Sequence, residues 1–143
     1  MKLKIETSAG GIVFKKTNSK TYWLIVKHSL YKKWTFPKGL IGDKTENEDA
    51  KVAALREVEE EGGVIAKILD EDPIIVQYNY RYKEFFIKKT VYYYLMEYIS
   101  GNVKDHDLEV SDALFEDKKN ILKLLGFKSD KEAFNKILKK NAI

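Results

Sequence analysis

Residues 39–64 read GLIGDKTENEDAKVAALREVEEEGGV, and the rest of the chain is best understood outward from them. Arg56, Glu57, Glu60 and Glu61 crowd into a turn and a half, closed by Gly62-Gly63. In a helix, positions 57, 60 and 61 share one face, because neighbours three and four apart stack. Like charges at that spacing destabilise an isolated helix by about 0.2–0.5 kcal/mol per pair. They also fall towards the helix C-terminus, where the macrodipole disfavours negative charge. A Glu-rich turn is commonly no more than a solvated face. A hard divalent cation, Mg²⁺ or Mn²⁺, resolves the crowding: it takes carboxylate oxygens and keeps waters and phosphate oxygens as its other ligands.

The wider spacing separates those readings. Gly42-x5-Glu48-x7-Arg56-Glu57-Val58-x-Glu60-Glu61-x-Gly63-Val64 fills 23 residues and resembles the Nudix box, the signature of hydrolases of nucleoside diphosphates linked to another moiety. The resemblance implies an α/β chain folded as the Nudix α/β/α sandwich, a mixed sheet between helices. It implies Glu60 and Glu61 as principal metal ligands and Glu57 as a ligand or the general base. Arg56 would orient the carboxylates through an ion pair with Glu48. The family's box glycine offers a backbone carbonyl to the metal from a Pro-x-Gly turn, here Pro37-Lys38-Gly39. From Gly39 the spacing to Glu48 is three residues too long, while Gly42 fits the count. Either Leu40–Asn47 holds an insertion and Gly39 keeps the role, which the family-like run Trp34–Gly39 favours, or Gly42 has taken it.

The 143 residues, 44% apolar and 34% charged, suit one domain with a sizeable core. There is no cysteine, so no disulfide. No apolar run approaches the roughly 20 residues of a membrane span, and the N-terminus lacks a signal-peptide core, so the expected compartment is the cytoplasm. A net charge of +4 despite the acidic box concentrates lysines elsewhere, as a polyphosphate substrate requires.

Taken in order, Ser8–Phe14 and Thr21–Lys27 read as strands joined at Asn18-Ser19. Gly10-Gly11 mark either a close ligand approach or a bulge. Lys27–Lys38 reads as a loop carrying His28 and Lys38. After the box helix, Val64–Leu69 and Ile74–Tyr80 read as strands, and Glu84–Ile99 as a central strand apolar on both faces. Gly101–Leu108 reads as a polar loop that leads through Glu109 towards Leu114-Phe115. Asp117–Leu125 reads as a helix, and Ser129-x-x-Glu132 as the capping box of another. The order is β-β-(box loop)-α-β-β-β-α-α, with helices on both faces of a mixed sheet.

Beyond the box, Trp34–Gly39, Lys89–Tyr94 and Glu109–Phe115 resemble the asymmetric diadenosine-tetraphosphate hydrolase branch of the family. That implies a small nucleotide substrate, with His28 and Lys38 near its phosphates, Lys89 as a further contact, and Glu109 as an extra carboxylate, either metal ligand or base. Tyr80 and Tyr82, flanked by Arg81 and Lys83, are the candidates for stacking a purine. RNA 5′ ends, nucleoside triphosphates and inositol pyrophosphates are the alternative substrates, and a nucleotide-binding regulator without turnover the alternative class. The oligomeric state is not legible.

Overall fold

The computed structural model describes residues 1–42 and 48–143. Along these the chain forms β1 (Lys2–Thr17), β2 (Lys20–His28), β3 (Trp34–Thr35), β4 (Lys38–Leu40), α1 (Ala50–Gly62), β5 (Val64–Ile68), β6 (Ile74–Tyr82), β7 (Phe85–Gly101), β8 (Val110–Asp117), α2 (Lys118–Leu124) and α3 (Lys128–Lys140). A 3-10 turn at Val103–Asp105 precedes β8. No helix among the described residues is long and apolar enough to cross a membrane.

β1 and β7 run parallel down the middle, in register from Lys2↔Phe85 to Phe14↔Glu97. The other strand pairings among the described residues are antiparallel, so the sheet is mixed. The apolar run Val91–Met96 explains β7's central place: successive side chains alternate faces and both are covered. Val91, Tyr93 and Leu95 pack with Ile121 and Leu125 of the α2 end and with Phe134, Ile137 and Leu138 of α3. Tyr94 and Met96 pack on the other side with Ala53, Ala54 and Val58 of α1. This is the α/β/α sandwich.

The sheet forks beside β1. β2 stays with β1 only from Phe14 to Thr17; lower down β4 takes its place, pairing Ser8, Ala9 and Gly10 with Leu40, Gly39 and Lys38. β3 meanwhile follows β2 at Val26 and Lys27. The fork gives Gly10-Gly11 a structural role, and they mark no bulge, since the β1–β7 register runs unbroken through them. A Cβ on Gly10 would overlap the Pro37 carbonyl, and that carbonyl accepts the Gly11 N–H at 3.1 Å. The glycines admit a neighbouring chain.

Three expectations need correction. Lys27–Lys38 is not all loop, since β3 interrupts it. The segment after Glu109 is a full strand, β8, added to the far edge of β2 with a register shift at Lys27/His28. Its irregular burial hides the period of two that marks a strand. Ser129 is not the cap: α3 starts two residues earlier than that box implies, at Lys128, with Phe127 at the cap position and no side-chain hydrogen bond there. The proposed insertion within Leu40–Asn47 falls largely on residues 43–47, outside the described residues.

Candidate active site

α1 is fixed at both ends before it presents any acid. Asp49 caps it, its carboxylate accepting the Val52 N–H at 2.9 Å, and Gly63, left-handed at φ 73°, closes it by donating to the Glu59 carbonyl. Ala53, Ala54 and Val58 bury the helix against the sheet. That orientation turns Glu57 and Glu61 inwards, 3% and 4% exposed. Burial, the largest effect on each, raises Glu57 to about 7 and Glu61 to about 8.

Arg56 ties the acids together. Its Nε and Nη2 meet the two Glu48 oxygens at 2.7 and 2.8 Å, and its Nη1 reaches Glu57 at 2.7 Å and Glu60 at 3.2 Å. The bond from Arg56 holds Glu48 below the usual carboxylate range, and the bond to Glu48 raises Arg56 further still. Such a two-pronged pair contributes geometry more than net stability.

The two glycines divide the work. Gly39 lies in β4 directly against Glu57, where an added Cβ would fall inside the carboxylate. Gly42 turns the chain at φ 81° and donates its N–H to Glu48 at 3.1 Å. One glycine abuts the buried acid; the other orients the acid that holds Arg56.

Glu57, Glu61 and Gly39 line a cavity of about 640 Å³. Its other walls include His28, Lys38, Tyr80, Lys89 and Glu109. Lys38 donates its backbone N–H to Glu61 at 3.1 Å and its ammonium to the Thr35 hydroxyl at 2.9 Å. Burial lowers Lys89, whose ammonium lies 3.4 Å from Glu6. His28 is also lowered by burial; its Nδ1 accepts the Leu30 N–H at 3.2 Å and its ring stacks on Tyr31 at 4.2 Å and 6°. Tyr80 donates to Glu6 at 2.6 Å. Burial alone would raise Glu6, but this bond and Lys89 hold it below the ordinary value.

Four sequence candidates lie outside the lining. Arg56 and Glu48 stand behind the acids, and Glu60, half-buried, is turned to Arg56. Tyr82 is 53% exposed at the β6–β7 hairpin end. In exchange the cavity includes Tyr31, Tyr78 and Phe127, aromatic faces the sequence reading did not single out. Tyr78 was detectable, being two residues from Tyr80 and so on the same strand face; its ring lies 6.1 Å from that of Tyr80. Phe127 and Tyr31 sit in connections without periodicity and gave no signal.

Among the described residues no group of three or more acids or histidines surrounds a single point. The donor set nevertheless fits Mg²⁺, which is typically held by one or two carboxylates and completed by waters and phosphate oxygens. Glu57 and Glu61, buried with raised proton affinity and lining the cavity, are two such carboxylates, and Gly39 abuts Glu57.

A family model described as NUDIX domain matches residues 5–135. Compared with curated proteins by sequence, the chain finds no match. Among solved structures it is similar to a C. elegans Ap4A hydrolase in a binary complex, at TM-score 0.73 and 20% identity over 96% of this chain and 98% of that one. It is also similar to the E. coli dihydroneopterin triphosphate pyrophosphohydrolase, at 0.71 and 15% over 98% and 99%. A third is the NUDIX domain of Shewanella oneidensis NrtR complexed with ADP ribose, at 0.69 and 19% over 100% and 91%. At these identities the structural likeness concerns the fold.

Proposed function

The chain belongs to the Nudix family of pyrophosphohydrolases, and from that premise we propose that it is a magnesium-dependent hydrolase of dinucleoside polyphosphates, splitting diadenosine tetraphosphate and water into ATP and AMP. The observation that carries this reading is one cavity joining three chemistries. Its lining includes the Glu57–Glu61 pair, the lysines Lys33, Lys38 and Lys89, and the aromatic residues Tyr31, Tyr78, Tyr80 and Phe127. Acids for a cation, cations for a polyphosphate and π-faces for a base match the three parts of such a substrate. The likeness to the Ap4A hydrolase fold agrees with it.

In this reading Glu57 and Glu61, with the Gly39 carbonyl, would hold the metal, while Glu60 bonds to Arg56. Such a cation, when bound, would supply charge neutralisation at the pyrophosphate and a more acidic water. Arg56, anchored on Glu48, keeps the carboxylates from splaying apart. Lys38 and Lys89 orient the phosphate chain for in-line attack. Glu109, the remaining cavity carboxylate, takes the proton from water. Tyr78 and Tyr80 stack the adenine, with the Tyr80 hydroxyl fixed by Glu6.

The test is a substrate panel with Mg²⁺ and product identification, covering dinucleoside polyphosphates, nucleoside triphosphates, 5′-triphosphorylated RNA and inositol pyrophosphates. Diadenosine tetraphosphate should give the highest kcat/KM, with ATP and AMP as products. Turnover confined to triphosphates, RNA ends or inositol pyrophosphates would overturn the substrate assignment, and no turnover at all would favour a regulator.

A further inference from the structure

Asp130, in the first turn of α3, is 2% exposed and lies far from the box in sequence. Both its oxygens are engaged: Oδ2 accepts the Thr35 hydroxyl at 2.7 Å and Oδ1 accepts the Tyr93 hydroxyl at 2.7 Å. Thr35, itself 2% exposed, receives the Lys38 ammonium at 2.9 Å. A continuous chain of hydrogen bonds therefore runs from a buried carboxylate on the C-terminal helix, through one hydroxyl, to a lysine on the cavity wall. We propose that Asp130 is a positioning residue: acting through Thr35, it holds the Lys38 ammonium where the phosphate chain of the substrate must pass. The proposal rests on the phosphate-binding reading of Lys38.

The physical argument starts with cost. Among the described residues the Asp130 carboxylate meets two neutral hydroxyls, an expensive way to anchor a helix, because neutral partners recover only part of its desolvation. An ionised carboxylate can only accept, so the Thr35 proton is committed to Asp130 and its lone pairs are left for Lys38. Charge at both ends strengthens each bond in the chain. A hydroxyl without Asp130 would turn its proton to the Phe36 carbonyl, 3.3 Å away, and nothing would fix its lone pairs. The anchoring of the segment is independent. Gly126 donates its N–H to the Trp34 carbonyl at 2.9 Å, which brings the start of α3 to β3, and the Lys38 ammonium lies 6.0 Å over the Phe127 ring. Lys38 is thereby held between its backbone bond to Glu61 on α1 and its ammonium bond to Thr35 on β3.

Two measurements test this on the full-length protein. The first is the affinity for α,β-methylene-ADP with Mg²⁺, by calorimetry, in Asp130→Asn, Thr35→Val, Thr35→Ser and Lys38→Met, and in Asp130→Asn combined with Lys38→Met. The second is the Lys38 side-chain ammonium signal by ¹⁵N NMR, which is visible only when the group is bonded and slow to exchange. Asp130→Asn and Thr35→Val should each weaken binding roughly tenfold, the scale of one charge-assisted bond, and broaden the Lys38 signal. Thr35→Ser should keep both. In the Lys38→Met background Asp130→Asn should cause no further loss beyond about twofold. An equal loss in that background, or a lowered melting temperature with the Lys38 signal intact, overturns the positioning role. Normal binding by Lys38→Met sinks the phosphate reading instead, and the NMR signal then still decides whether Asp130 positions the lysine.

Discussion

Replacing Glu61 with Gln separates stability from function more sharply than any other single change in the site. The side chain is 4% exposed, and its carboxyl is raised from 4.5 to about 8, burial being the largest cause. The sign follows from linkage. A raised folded-state value means that the native protein binds more protons than the unfolded chain between those limits, so stability falls as pH rises from 4.5 to about 8. At pH 7 the interval covers about 2.5 units, which at about 1.4 kcal/mol per unit is an upper bound of roughly 3–4 kcal/mol. Gln is isosteric, and its carbonyl can still accept the Lys38 N–H that Glu61 now receives at 3.1 Å. Metal-free Glu61→Gln should therefore melt higher than the parent at pH 7–8, by up to roughly 10 °C, and at nearly the same temperature near pH 4. Added Mg²⁺ should raise the parent's melting temperature and leave the variant's almost unmoved. Activity should move the opposite way, kcat falling at least about 10²-fold as one electrostatic contact is lost. Melting curves by circular dichroism from pH 4 to 9, with and without Mg²⁺, and kcat at saturating Mg²⁺ check both halves. A variant that melts lower than the parent at pH 8 without metal refutes the buried-charge argument. Parental kcat refutes the metal assignment.

The glycines and tyrosines supply the other tests. Gly39→Ala puts a Cβ into the Glu57 carboxylate and should cut kcat by about 10²-fold, whereas Gly42→Ala, at φ 81°, should cost about 1 kcal/mol of stability with a smaller loss of rate. Steady-state kinetics and melts on the pair rank them, and a worse kcat for Gly42→Ala reverses the assignment. Tyr80→Leu should raise KM by the equivalent of about 1–2 kcal/mol with kcat less affected, and Tyr80→Phe should lose part of that because the Glu6 bond at 2.6 Å goes with the hydroxyl. Tyr82→Leu, outside the cavity lining, should leave KM unchanged; a raised KM there and none at Tyr80 would exchange their roles.

Local chemistry was written plainly in the residues. The acids at 57, 60 and 61 with Arg56 and the closing glycines specify a helix turn and its charge problem, because i, i+3 and i+4 geometry is fixed by the helix alone. The unbroken apolar run of β7 likewise announced a strand covered on both faces. What the sequence left open depends on contacts between segments far apart in the chain. Helical spacing puts Glu57, Glu60 and Glu61 on one face, yet only packing of α1 on the sheet decides that Glu57 and Glu61 turn to the cavity while Glu60 turns to Arg56. Counting residues favoured Gly42 for the box position and local likeness favoured Gly39; the fork between β1 and β2 puts Gly39 against Glu57. Phe127 and Tyr31 join the cavity, and Asp130 reaches Lys38 through Thr35, because α3 docks beside β3 across some ninety-five residues of chain. Periodicity reports on which face of its own element a side chain lies. Which other element waits there is set by tertiary packing, where the free energy depends on what meets across the sheet and no local pattern records it.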